Sequence, residues 1–269
     1  MHRFLFALLV ALVPAASVLA QDWAKARLEK SPRHGEWVKV KQGQREVQSF
    51  LVFPEVKEKA TAVVVIHEIF GLTDWVRSAA DQLAEAGYIA IAPNLVPALK
   101  EGESFDNLRK AISEVPQEQI TADLNAVVKH LAELPSCNGK VVVCGFCWGG
   151  GQTFRFATEN KDIKAAYVFY GPPPTKGKDL LAKDIDEGAV ERIACPVYGF
   201  YGGNDMRINA FIPQTKEVMK KAGKKYEPVI YDGAGHGFMR AGEAPDANED
   251  NKKGREDAWK RWMELLKKI

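Results

Sequence analysis

Apolar and polar positions along the chain fall into two kinds of segment that alternate, and the alternation predicts the architecture. Ala62-Val63-Val64-Val65-Ile66 is a continuous, mostly β-branched run, the composition of a parallel strand covered on both faces. Over residues 74–86, Val76, Ala79, Ala80 and Leu83 recur at helical spacing until Gly87 ends the pattern. The succession then repeats. Residues 88–92 read as strand, 93–106 as loop, and 121–134 as a helix with Leu124, Val127, Val128 and Leu131 on one face. Strand at 140–145, helix at 152–160, strands at 165–171 and 196–202, helix at 212–222, a last strand at 226–231 and an amphipathic helix at 255–268 complete the series. Ahead of it, residues 37–41 and 46–53 flank a turn at Gln42-Gly43-Gln44 and predict an antiparallel hairpin at the sheet edge. The fold class expected is α/β, a mostly parallel central sheet with helices on both faces. Residues 172–192 lack either periodicity and read as a lid over the site or as a solvated connection.

Composition narrows this to one domain, residues 21–269, because 269 residues that are 46% hydrophobic can bury one large core. A formal charge of +2 offers no basic excess for phosphate backbones or anionic membranes, which argues against nucleic acid as a partner. Met1-His2-Arg3, an apolar run over 4–13 and small residues ending Val18-Leu19-Ala20 predict a secretory signal peptide, residues 1–20, cleaved after Ala20. The run is short for a membrane span, so the mature chain is expected to be secreted or periplasmic and not stably inserted; an uncleaved anchor is the alternative. Export places Cys137, Cys144, Cys147 and Cys195 where disulfides persist, yet three of them crowd one strand and form no framework. Cys137 with Cys195 is the pairing left open.

Chemistry concentrates at strand ends, where open α/β sheets place their ligand crevice. Val143-Cys144-Gly145-Phe146-Cys147-Trp148-Gly149-Gly150-Gly151 reads as strand, sharp turn and helix. Gly145-x-Cys147-x-Gly149 has the spacing of a nucleophile elbow, usually built on serine. Asp205 follows the 196–202 strand and His236 the last strand, giving the chain order nucleophile, acid, histidine. A thiol at a helix N-terminus is biased toward thiolate. A histidine would move its proton, and an aspartate would fix the imidazole tautomer. Asp232 competes with Asp205, being closer in sequence to His236. The N–H groups of Trp148 and Ile69 suit an oxyanion hole, and Glu68 stands at another strand end.

Four motifs in this order, His67-Glu68-Ile69-Phe70-Gly71, Gly145-Phe146-Cys147-Trp148-Gly149-Gly150, Tyr201-Gly202-Gly203-Asn204-Asp205 and Gly235-His236-Gly237-Phe238-Met239-Arg240, resemble the dienelactone hydrolase (carboxymethylenebutenolidase) family. The resemblance covers roughly residue 45 to the C-terminus and implies the α/β-hydrolase fold with Cys147, Asp205 and His236 as triad. It also implies that Glu68 contacts the resting thiol and yields when substrate binds, and that Arg240 grips a substrate carboxylate. The family's second arginine has no clear match; Arg109 lies on the intervening segment. His67 stands where dienelactone-cleaving members typically carry glutamine. The substrate implied is a small ester or lactone, with an anionic group where Arg240 is used, and the reaction calls for no metal or organic cofactor. Two rival readings are thiol–disulfide exchange at Cys144-Gly145-Phe146-Cys147 and a non-catalytic protein on a hydrolase fold. The first places Cys144 inside a strand, where its side chain points into packing.

Overall fold

The computed structural model describes residues 21–99, 103–177 and 184–269. Its strands are β1 (Gly35–Gln42), β2 (Arg45–Val52), β3 (Ala60–Ile66), β4 (Ile89–Pro93), β5 (Cys137–Phe146), β6 (Ala166–Phe169), β7 (Val197–Gly202) and β8 (Tyr226–Tyr231). They form one sheet in the order β1-β2-β4-β3-β5-β6-β7-β8. The β1–β2 hairpin joins β4 antiparallel, and every later pairing is parallel. The helices are α1 (Asp22–Glu29), α2 (Asp74–Glu85), α3 (Phe105–Glu114), α4 (Gln117–Glu133), α5 (Trp148–Glu159), α6 (Glu187–Glu191), α7 (Met206–Asn209), α8 (Ile212–Lys221), α9 (Phe238–Ala241) and α10 (Glu249–Leu266).

Every residue of β3 is buried, and its side chains divide between two apolar layers. Ala62, Val64 and Ile66 meet Leu124, Val127 and Leu131 of α4 and Phe154 of α5. Val63 and Val65 belong to the layer of Val76, Ala80 and Leu83 of α2 and Trp262 of α10. A strand covered on both sides needs no polar alternation, which is why the run at 62–66 reads as unbroken. Each buried Val or Ile among them contributes about 1.5–3 kcal/mol by leaving water.

Several elements differ from the sequence expectation. Part of the segment expected as loop before residue 106 is the start of α3, opened by Ser104, whose hydroxyl accepts the Asn107 N–H at 3.3 Å. The closing helix begins at Glu249, ahead of Arg255, because the Asn248 side chain caps it by accepting the Asn251 N–H at 2.8 Å. α5 starts at Trp148, immediately after Cys147, instead of at Gln152. α1 was not expected at all. Ala24 is fully buried on it, and the Gln21 amide oxygen just before it accepts the Trp75 N–H at the start of α2 (2.7 Å).

All four cysteines are free. Cys137 opens β5 and Cys195 precedes β7, with β6 between those strands; two strand spacings, roughly 10 Å, exceed the reach of a disulfide. Within the segment 172–192, residues 178–183 lie outside the described residues. Its base is closed by a bridge between Thr175 and Ile185 and by the Lys176 N–H donating to Asp184 at 2.9 Å. The expected signal peptide, residues 1–20, also lies outside them. Among the described residues, no helix is long and apolar enough to cross a membrane.

Candidate active site

Cys147 sits in the turn from β5 to α5 at φ 56° and ψ −115°, a backbone conformation that a side chain with Cβ rarely adopts. Such a conformation persists only where its surroundings enforce it. They do so here through Gly149, where a Cβ would lie 2.4 Å from the carbonyl oxygens of both Ile66 and His67. The elbow is pressed against the end of β3, and only glycine fits. The Cys147 N–H donates to the Phe169 carbonyl at 3.1 Å, anchoring the turn to the next strand as well.

His236 follows β8 and reaches the sulfur, with Nε2 3.1 Å from Cys147 Sγ. Its Nδ1 lies 2.5 Å from Asp205 Oδ2. Asp205 is buried at the end of β7 and also caps α7, accepting the Ile208 N–H at 3.4 Å. Asp232, the competing acid, is exposed, and Asp205 is the carboxylate in contact with the ring. Partial desolvation pulls the imidazole pKa down, but the bonds to Asp205 and Cys147 outweigh it and raise it to about 10. His236 is therefore a cation at neutral pH, beside a sulfur at a helix N-terminus.

Glu68, at the end of β3, is buried and departs from the contact implied by the resemblance. Its Oε2 accepts from Arg240 Nε at 2.7 Å, and its Oε1 accepts from the Tyr170 hydroxyl at 3.5 Å, while the sulfur's contact goes to His236. The cause is proximity of opposite charge: α9 follows His236 directly and brings the Arg240 guanidinium onto the carboxylate, 5.3 Å over the Phe70 ring. Glu68 raises the Arg240 pKa further. Tyr170, which the sequence reading passed over, has φ 41°. Its ring lies edge-on to His236 at 5.1 Å between centroids, and burial with the nearby Glu68 charge pushes its hydroxyl well up. No sequence signal marks it, since it follows β6 as an ordinary aromatic.

Trp148 is the first residue of α5, so its N–H has no helical acceptor. Ile69 lies in the tight turn closed by the Gly71 N–H to the Glu68 carbonyl at 3.2 Å. His67 is fully buried and stacks on Trp148 at 5.1 Å; burial lowers its pKa to about 4, so it is neutral. Its Nδ1 lies 2.7 Å from the Glu68 carbonyl and so carries the proton. Arg109 is exposed on α3, its guanidinium 6.0 Å from the Phe105 ring. Cys144 is fully buried in the layer beneath the elbow, its thiol pushed well up by burial, a poor partner for disulfide exchange.

This geometry has counterparts elsewhere. The model of the dienelactone hydrolase family matches residues 47–269. The chain belongs to that family. A "Putative carboxymethylenebutenolidase" of Methylorubrum extorquens is 30% identical over 268 residues, covering 97% of this chain and 88% of that protein. One of the same name from Escherichia coli K12 is 33% identical over 216 residues, 76% of each. The crystal structure of a "Putative Dienelactone Hydrolase" from Klebsiella pneumoniae superposes with a TM-score of 0.77 at 26% identity, covering 88% of this chain and 99% of that one. The sheet and helices described above are those of the α/β-hydrolase fold, and the protein is a dienelactone hydrolase-like hydrolase acting on lactone or ester bonds. Residues 21–46 of this dienelactone hydrolase relative, which include α1 and β1, precede the family match.

Proposed function

We propose that this hydrolase cleaves its ester or lactone through a thioester acyl-enzyme on Cys147, with His236 and Asp205 completing the triad. The observation that carries the reading is the continuous contact Asp205–His236–Cys147, 2.5 Å and 3.1 Å, with the sulfur on a turn held at positive φ. The thiolate attacks the substrate carbonyl carbon, and the carbonyl π electrons move onto oxygen. The Trp148 and Ile69 N–H groups receive that oxyanion. As it collapses, the C–O bond to the leaving group breaks and His236 Nε2 delivers its proton to the departing oxygen. Water then attacks the thioester and loses a proton to His236. The C–S bond breaks, and the acid leaves with thiolate and imidazolium restored. Asp205 keeps Nδ1 protonated and the ring aligned throughout.

Arg240 supports an anionic substrate: it is a guanidinium at the site whose Nε is held by the Glu68 carboxylate at 2.7 Å, and that carboxylate is the main cause of its raised pKa. A substrate carboxylate would compete with Glu68 for that guanidinium. The apolar N-terminal run supports export, with residues 1–20 removed and the mature enzyme periplasmic or secreted.

Turnover of aryl esters and small lactones by the Cys147→Ala and His236→Ala variants tests the mechanism. Cys147→Ala should abolish it, and His236→Ala should slow it by roughly 10²–10⁴-fold, the usual worth of a positioned proton-transfer group. A near-normal rate in either would remove that residue from the triad.

A further inference from the structure

His236 stands in Asp232-Gly233-Ala234-Gly235-His236-Gly237, with Gly233 at φ 71° and Gly237 at φ 78°. A loop this rich in glycine has little conformational preference of its own. Its ring must nevertheless keep two contacts at once, to Asp205 and to Cys147. The loop is laid against the start of α10, where a Cβ at Gly233 would fall 2.6 Å from the Asp250 carboxylate and one at Gly254 would fall 2.9 Å from Ala234. From that helix the Asn251 Oδ1 accepts the Gly235 N–H at 2.8 Å, one residue before His236. Asn251 is itself fixed, since its N–H donates to the capping side chain of Asn248. A second tie joins the acid loop to the histidine loop: Asn204 donates through Nδ2 to the Gly233 carbonyl at 2.8 Å and through its N–H to Ala234 at 2.9 Å.

We propose that Asn251 is a positioning residue for the triad histidine: its amide oxygen fixes Gly235 and so sets the reach of His236 to Asp205 and Cys147. The inference rests on the triad reading. Nothing in the reaction touches Asn251. It acts from α10 through one backbone N–H, and Asn204 holds the same loop from the acid's side. The groups facing the ring are the Asp205 carboxylate, the Cys147 sulfur and the edge of Tyr170, none of which lies on α10.

Asn251→Ala removes the acceptor, Asn251→Ser shortens it out of reach, and Asn251→Asp keeps an oxygen in place. Two readouts apply: NMR titration of the His236 imidazole, which is independent of turnover, and kcat and KM on an aryl ester. In the Ala and Ser variants the His236 titration should fall from about 10 toward 6.5. Their kcat should drop roughly 10–100-fold at little-changed KM, the scale of a small misplacement of a catalytic group. Asn251→Asp should restore both. An unshifted titration with parental kcat in Ala or Ser, or an Asp variant as impaired as they are, would overturn the proposal. His236→Ala run alongside separates the two failures: if turnover survives it, the triad reading falls, while the titration still reports whether Asn251 places the ring.

Discussion

In the proposed mechanism, His236 is the residue on which the pH behaviour turns. Its pKa in the folded protein is raised to about 10, above the ordinary histidine value of 6.5, because its bonds to Asp205 and Cys147 outweigh the cost of burial. The stabilisation from the charged ring is fully present below about pH 6.5 and is lost as pH rises through about 10. Hydrolysis that needs the imidazolium as proton donor should therefore show an alkaline limb near pH 10 in kcat/KM. Asp205→Asn removes the carboxylate that raises the pKa, so that limb should move to lower pH as well as the rate falling. A limb that stays in place in the pH–rate profile of the variant would separate Asp205 from the titration. Cys144 marks the contrast within the same motif: it is sealed in the core. Cys144→Ala should leave ester turnover unchanged while costing roughly 0.5–3 kcal/mol in a denaturant melt, as truncation of a buried side chain does. Loss of activity equal to that of Cys147→Ala would instead favour a paired-thiol chemistry.

Among the elements, the elbow is the one whose geometry admits least change. Gly149→Ala would drive a methyl group to 2.4 Å from two backbone oxygens at the end of β3, neither on a flexible side chain. The expected result is a loss of about 3 kcal/mol or more in thermal unfolding, with activity lost at temperatures where the parent works. That packing was half visible in the sequence. The glycine spacing around Cys147 announced the turn, and the β-branched runs announced β3 and β5, because burial on both faces leaves an unbroken apolar run that can be read. α3 carries Phe105, Leu108 and Ile112 at helical spacing behind Ser104, yet the loop expected over 93–106 overlaps only its first two residues and 107–120 carried no expectation. α7 and α9 were not: each spans four residues, too short for a period, and exists because Asp205 and the turn after His236 place it there. The site divides the same way. Cys147, Asp205 and His236 were marked by motif and strand end. The Glu68–Arg240–Tyr170 cluster and the Asn204 and Asn251 ties depend on which loops meet, a tertiary fact that no local pattern encodes.

Across the whole molecule, the segment ahead of the family match is built into the hydrolase body. Arg33 donates to buried Asp81 through Nε at 2.9 Å and Nη2 at 2.6 Å, and Ser31 donates to the same carboxylate at 2.6 Å. Glu243, just past α9, accepts from Trp75 Nε1 at 2.9 Å and Gln82 Nε2 at 2.6 Å on α2, and pairs with Arg27 of α1 at 3.6 Å. Trp75 in turn packs edge-on against Phe146, the neighbour of Cys147, with centroids 4.8 Å apart. The N-terminal helix, the Arg240 turn and the floor of the elbow thus share one network. Arg33→Ala leaves a buried carboxylate without its counter-ion and should cost roughly 3 kcal/mol in urea unfolding; a change within experimental error would show that the segment is only appended. The proposed chemistry puts the acyl group on the sulfur of Cys147 between the two halves of the reaction. Mass spectrometry of the protein quenched during turnover of a slow ester tests it directly. The acyl mass should appear on the peptide containing Cys147 and be absent from the Cys147→Ala variant; an adduct on another residue, or steady turnover by that variant, would contradict it.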